Sequence, residues 1–262
     1  MERLESVLRI KVEKTKEGIE PFEFDKEIEL KDVDFHFVSG KNILNNIKIR
    51  KGDNVAIIGE TGSGKTSLAK LFMEFYSPDK GHIYVDGAEL QNFEVQEIRK
   101  AVVYVSQEDF LFTASVRENL KMGNEEISDE EMIEISRKMG VHQFVSKMER
   151  EYDSVLEERG KNLSKGQRQK LSLTRAILRH PKILILDEAT SNMDSISERE
   201  ILNYIKGIRD ITLILISHRI NVIADSDCIY VLQKGNIVAR GTDEQLKEQC
   251  ELYRQLYGEE EK

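Results

Sequence analysis

The stretch Gly59-Glu60-Thr61-Gly62-Ser63-Gly64-Lys65-Thr66 limits what this chain can fold into more than any other. It fits G-x-x-x-x-G-K-[ST]. Before it, Asn54-Val55-Ala56-Ile57-Ile58 is short, apolar and rich in β-branched residues, which predicts a strand. After it, Leu68, Leu71, Phe72 and Phe75 recur at i, i+3, i+4 and i+7, which predicts a helix with one apolar face, running to about Tyr76. On its own the motif also describes a flexible glycine turn before a helix. Strand, glycine turn and helix in this order describe a phosphate-binding loop. The glycines let successive N–H groups point at one spot, and the helix N-terminus adds its positive dipole end there. Lys65 can reach the β- and γ-phosphates, the Thr66 hydroxyl can ligate Mg²⁺, and Ser67 follows at the helix start.

The rest of the chain alternates strands and helices. Ile28 to Val38 alternates, with Val33, Phe35 and Phe37 on one face, and Ile43 to Ile49 returns as an antiparallel opening. Phe37 is either an exposed aromatic on which adenine could stack or a core residue. His82 to Val85 closes at Asp86-Gly87, a hairpin signal, and Ala101 to Val105 is a strand that delivers Gln107 at its end. Residues from about 107 to 175 change to helical periods and predict an inserted helical subdomain. Within them Ser164-Lys165-Gly166-Gln167 fits a capping box that opens a helix to about Arg179. Ile183-Leu184-Ile185-Leu186 is continuously apolar, as in a parallel strand covered on both faces, and runs into Asp187-Glu188. A helix over about 197–208 separates it from Ile211 to Ile216, a third buried strand, which runs into Ser217-His218. A hairpin over 229–239, expected at the sheet edge, and a polar helix from Asp243 complete the chain. The expected fold is α/β, a P-loop core with a mainly parallel sheet, an antiparallel β subdomain and the inserted helices.

Composition bounds the function. The chain has 262 residues and a net charge of −9, which does not suggest a duplex-binding surface. Cys228 and Cys250 make no metal spacing and no disulfide framework, which suggests a reducing compartment. The apolar runs are strand length, far below the ~18–20 residues that span a bilayer. The N-terminus lacks the apolar stretch of a signal peptide, so the polypeptide is not expected to enter a membrane by itself.

Ligands on open parallel sheets sit at the carboxyl ends of strands, where Gly59, Asp187 and His218 all fall. Beside a phosphate loop, Asp187 is placed to hold Mg²⁺ and Glu188 to polarise an attacking water; otherwise the pair is a helix start favoured by the dipole. His218 can bond the γ-phosphate and the catalytic carboxylate, or be an ordinary structural histidine. Gln107, at another strand end, can touch the metal or its water.

With these residues in order, the chain resembles the nucleotide-binding domain of an ATP-binding-cassette (ABC) transporter over residues 26–250. Gly59–Thr66 matches the Walker A motif, and Ile183–Asp187 followed by Glu188 matches Walker B. Leu163-Ser164-Lys165-Gly166-Gln167 matches the signature L-S-G-G-Q at four of five positions. Gln107 matches the Q-loop, Ser191 to Asp194 the D-loop and His218 the switch histidine, while Phe37 falls where the family's aromatic stacks on adenine. Gln107 to Phe112 with Arg117 to Leu120, and Glu158-Arg159-Gly160, are similar to exporter segments.

The resemblance implies ATP and Mg²⁺ as ligands, with Glu188 and His218 catalytic and Thr66, Gln107 and Asp187 at the metal. It implies a second nucleotide-binding domain, identical or different, paired head to tail, whose nucleotide would meet Ser164, Gly166 and Gln167 of this chain. It further implies a transmembrane partner reached through residues 1–25, a position on the cytoplasmic face of the membrane, and residues 251–262 as a charged tail. Two departures stand out. Phe37 replaces the commoner tyrosine, and Lys165 replaces a signature glycine. Lys165 either points to solvent, adds a cation near phosphate or marks a weakened site. A soluble ABC ATPase acting on DNA or ribosomes is the alternative, but the long heptads and zinc cysteines of such proteins are missing from this sequence.

Overall fold

The computed structural model describes residues 21–37, 40–44, 47–108 and 110–260, and the side chains of 36, 37, 40–44 and 257–260 fall outside that description. The expectations for residues 1–20 therefore lie outside the described residues. Eleven strands can be traced among them. The first six are β1 (Glu27–Phe37), β2 (Gly40–Leu44), β3 (Ile47–Arg50), β4 (Asn54–Gly59), β5 (Lys80–Val85) and β6 (Ala88–Glu89). The other five are β7 (Val102–Val105), β8 (Ile183–Asp187), β9 (Thr212–Ile216), β10 (Cys228–Gln233) and β11 (Asn236–Gly241). They form one sheet in the order β6-β5-β1-β2-β11-β10-β4-β9-β8-β7, with β3 also paired to β1.

The sheet has two halves. β10, β4, β9, β8 and β7 run parallel, whereas β1 pairs antiparallel with β2, β3 and β5. The β10–β11 hairpin does not sit at the sheet edge as its local pattern suggests. β11 pairs β10 on one side and meets β2 on the other through Asn236 and Ile43, so the hairpin is the seam between the halves. Its alternating burial is that of a strand covered on one face, and nothing local in it announces the second partner.

Strand side chains alternate between two cores. Ile183 and Ile185 of β8 face a core shared with Phe24, Ile28 and Phe72. Leu184 and Leu186 face the opposite core, shared with the helical region. The helices are α1 (Lys65–Phe72), α2 (Val95–Ala101), α3 (Val116–Lys121), α4 (Asp129–Lys138), α5 (His142–Val145), α6 (Lys165–Leu178), α7 (Ser195–Lys206), α8 (Ile220–Ile223), α9 (Asp243–Gln249) and α10 (Glu251–Glu260). α3 to α6 make up the expected helical insertion, and Leu120, Met132, Met139 and Leu171 bury in the second core.

Two expectations shift. α1 stops at Phe72, and Glu74 turns the chain with φ 50°, so Phe75 lies beyond the helix. Phe75 is 51% exposed instead of joining the apolar face. Its ring lies 4.6 Å from the Arg99 guanidinium carbon. The polar C-terminal segment docks: Leu246 and Tyr253 are buried in the core, and the Tyr253 hydroxyl donates to Asp243 Oδ1 at 2.7 Å. Among the described residues no helix is long and apolar enough to cross a membrane.

Candidate functional site

β9 organises the site. Its last residue, Ile216, is in register with Ile57 of β4 on one side and with Asp187 of β8 on the other. The loops leaving β4, β8 and β9 therefore emerge side by side, which brings Gly59, Asp187 and His218 to one edge. The glycine loop follows β4 and ends in α1, whose N-cap Gly64 has φ 107°. A Cβ on Gly59 would stand 2.2 Å from the Leu232 carbonyl oxygen, so only glycine fits there. The Ser63 carbonyl accepts from Gly235 N–H at 3.0 Å, which ties the loop to the β10–β11 turn.

Within the loop, Lys65 Nζ donates to the carbonyls of Gly59 at 2.6 Å and Glu60 at 2.9 Å. Burial pulls its pKa below the ordinary lysine value, against the opposing pull of Glu188 and Asp187. An anion beside this ammonium would replace the hydration that burial removes. The Thr66 hydroxyl donates to Asp187 Oδ2 at 2.7 Å. The Tyr104 hydroxyl, on β7, donates to the same oxygen at 2.9 Å. Burial first, then the Asp187 charge and this hydrogen bond, push the Tyr104 pKa well up, so the phenol stays a donor.

Glu188 follows β8 with its φ at 53°, and its N–H donates to the Ile216 carbonyl at 2.9 Å. Its Oε1 lies 3.0 Å from His218 Nδ1. An ionised carboxylate only accepts, so Nδ1 carries the proton and Nε2 is left for a ligand. The Glu188 side chain is 26% exposed and that of His218 is 59% exposed, so the pair opens to solvent at the sheet edge. The next residue, Arg219, makes a bidentate ion pair to Glu198 of α7 at 2.9 and 2.8 Å, with the Glu198 side chain only 4% exposed.

The other expected residues fall into a second group. Ser164 caps α6, with Gln167 completing the capping box. Gly166 packs on the segment after β8, where an added Cβ would lie 3.1 Å from the Asn192 carbonyl oxygen. Gln169, fully buried, accepts from Asn192 N–H at 3.0 Å. Gln107 is exposed past β7 and, with Lys165, Arg168 and Asn192, lines a cleft of about 850 Å³. Gly166 and Gln169 thus join the start of α6, which Ser164 and Gln167 cap, to the segment after Glu188. Phe37 ends β1, and its side chain lies outside the described residues. Tyr104 and Arg219 escape a reading by motif; the one signal for Tyr104 was a hydroxyl-bearing aromatic inside an apolar strand.

A glycine cradle with an ammonium, a hydroxyl–carboxylate pair and a glutamate–histidine pair, all at the carboxyl edge of a parallel sheet, define the nucleotide site of a P-loop triphosphatase. The family model described as "ABC transporter" matches residues 44–191, and the chain belongs to that family. It is 42% identical over 86% of its length to the heterocyst differentiation ATP-binding protein HepA of Nostoc sp.. It is 38% identical over 85% of its length to the mitochondrial iron-sulfur clusters transporter ABCB7 of Oryzias latipes. The chain spans 37% and 30% of those two proteins. A bacterial Atm1-family ABC exporter solved with ATP bound superposes with a TM-score of 0.87 at 29% identity, covering 93% of this chain and 44% of that one. The fold is that of an exporter's ATP-binding domain.

Proposed function

We propose that this chain is the ATP-hydrolysing domain of an exporter and that its nucleotide is enclosed by a second such domain. The observation that carries this is the 3.0 Å contact between His218 and Glu188, at the sheet edge where Lys65 and Asp187 also stand. Lys65 binds the β- and γ-phosphates, the N–H groups of Gly59 to Thr66 cradle them, and Ser67 continues the helix start behind. Phe37 is the stacking surface for adenine. Glu188 accepts a proton from the attacking water, and His218 holds the Glu188 carboxylate in place while presenting Nε2 to the γ-phosphate.

The residues present also fit Mg²⁺. Thr66 and Asp187 already share a hydrogen bond, and Gln107 follows the neighbouring strand. Among the described residues no group of three or more His, Cys, Asp or Glu is placed for a metal, so an ion held here would take its other ligands from phosphate and water, as Mg²⁺ does. When bound, the ion supplies charge neutralisation at the β- and γ-phosphates. Thr66, Asp187 and Gln107 are the residues that would hold it.

Ser164, Gly166 and Gln167 serve the nucleotide of the partner domain. Binding thus pulls two domains together, and hydrolysis releases them. Residues 1–25 tether the domain, over 26–250, to a transmembrane partner at the cytoplasmic face of a membrane. The test is Glu188→Gln. ATP binding should persist while turnover falls about 10²–10⁴-fold, the usual worth of a general base. Wild-type turnover in that variant would remove Glu188 from the reaction.

A further inference from the structure

Asp187 ends β8, so the strand ladder fixes its backbone, but backbone pairing alone does not set its carboxylate, whose torsion is broad and nearly two-fold. A metal-holding carboxylate that turns freely loses affinity to its own rotation. Two hydroxyls restrain it. Thr66 reaches Oδ2 at 2.7 Å from α1, and Tyr104 reaches the same oxygen at 2.9 Å from β7. The donors come from different sides: β7 pairs β8 directly, with Tyr104 opposite Ile185, whereas α1 follows β4, beyond β9. One donor leaves the carboxylate free to swing about that bond; two from different sides fix its plane. The Tyr104 ring is itself held, since it is half-buried and packs against the core beside β8.

We propose that Tyr104 is a positioning residue for the metal site, its hydroxyl locking the Asp187 carboxylate through Oδ2 so that Oδ1 faces the ion or its water. The proposal rests on the Mg²⁺-nucleotide reading above. Thr66 is expected at the metal itself, where its hydroxyl oxygen would be a ligand while its O–H goes on donating to Asp187 Oδ2. Tyr104 stands one shell further out, where partners that orient a ligand commonly govern metal affinity.

Tyr104→Phe removes the hydroxyl and keeps the ring, so packing is preserved. The 262-residue chain is titrated with a fluorescent ATP analogue at rising Mg²⁺ and again in a chelator. Tyr104→Phe should need about tenfold more Mg²⁺ for half-saturation, while its binding in the chelator stays that of the wild type. The chain has no Trp and 8 Tyr, so tyrosine absorbance is readable. Mg²⁺ added to the nucleotide-loaded wild type should give a tyrosine difference spectrum that Tyr104→Phe lacks. Unchanged Mg²⁺ dependence in Tyr104→Phe, or equal loss with and without the metal, overturns the proposal. Asp187→Asn separates the two levels. If it too keeps the wild-type Mg²⁺ dependence, the metal site itself is wrong; if only Tyr104→Phe keeps it, this inference alone fails.

Discussion

Lys165 stands where its helix least favours it. It is the first residue of α6, and no acid occupies that first turn. A cation there faces the positive end of the helix dipole, at a cost of about 0.3–1 kcal/mol. Its side chain is exposed and lines the 850 Å³ cleft together with Arg159, Lys161 and Arg168, with Glu108 as the acid among the lining residues. Folding does not call for a lysine here. Lys165→Glu should therefore raise the thermal unfolding midpoint by about 1–3 °C, and a calorimetric scan with an equal or lower midpoint would show that the cation costs the helix nothing. Glu188 is set against local preference in the same way. Its φ of 53° is a left-handed conformation that a β-branch-free, non-glycine residue still resists by about 1 kcal/mol. Glu74 at 50° and Asp86 at 52° take the same conformation in turns away from the site, so the angle alone does not single Glu188 out. Asp187 and His218 could be read because an apolar strand ends abruptly in a polar side chain. Tyr104 could not, because its partner lies 83 residues further on and only the β7–β8 pairing brings them together.

At the scale of elements, the start of β1 is held by one side chain. Asp86, in the β5–β6 turn with φ 52°, accepts from the backbone N–H groups of Asp25, Lys26 and Glu27 at 2.6, 2.9 and 2.8 Å. Burial pulls its pKa upward, but these three donors outweigh it and hold the carboxyl below the ordinary Asp value. The folded value lies below the unfolded one. The stabilisation is therefore complete above the unfolded carboxylate range and is lost as pH falls through the folded value. Asp86→Asn keeps the left-handed preference and removes the charge. It should cost about 1 kcal/mol near neutral pH, after discounting for solvent exposure, and the gap from wild type should close in acid. A gap that stays constant in denaturant titrations from neutral to acid pH would show that the charge is idle. Just before this collar, Phe22 and Phe24 bury in the core, and Phe22 meets Phe93 edge-on at 5.2 Å. The resemblance makes residues 1–25 a tether, and two phenylalanines among charges, with no apolar period, give no local sign that they join the core. Element identity was otherwise legible wherever the apolar period was sustained, as in β4, β8 and β9. It failed for the place of the β10–β11 hairpin and for Phe75, since both depend on which distant strand or turn the chain meets.

At the scale of the molecule, one chain gathers only half of what the proposed reaction needs. The glycine loop, Asp187, Glu188 and His218 share the edge organised by β9. The start of α6 is joined instead to Ser191 and Asn192, through Gln169 and the close approach of Gly166. That linkage ties the capped helix start to the segment leaving Glu188, so in the proposed pair the helix start that serves one nucleotide would follow the geometry at the other. Each chain carries a net charge of −9, so two copies repel and bare association is disfavoured. A nucleotide gripped from both sides would be the source of the attraction, and without it the pair should fall apart. Glu188→Gln, which preserves the bound triphosphate, should elute as a dimer with ATP and Mg²⁺ and as a monomer with ADP or without nucleotide. Added salt screens the mutual repulsion over about 8–10 Å, so moderate ionic strength should favour the dimer as long as the nucleotide stays bound. Lys65→Ala in the same background should return the protein to the monomer under every condition, because the first grip on the phosphates is gone. A Glu188→Gln chain that stays monomeric at saturating ATP and Mg²⁺ would mean that these surfaces do not close on nucleotide alone, and the head-to-tail arrangement would have to depend on the membrane partner.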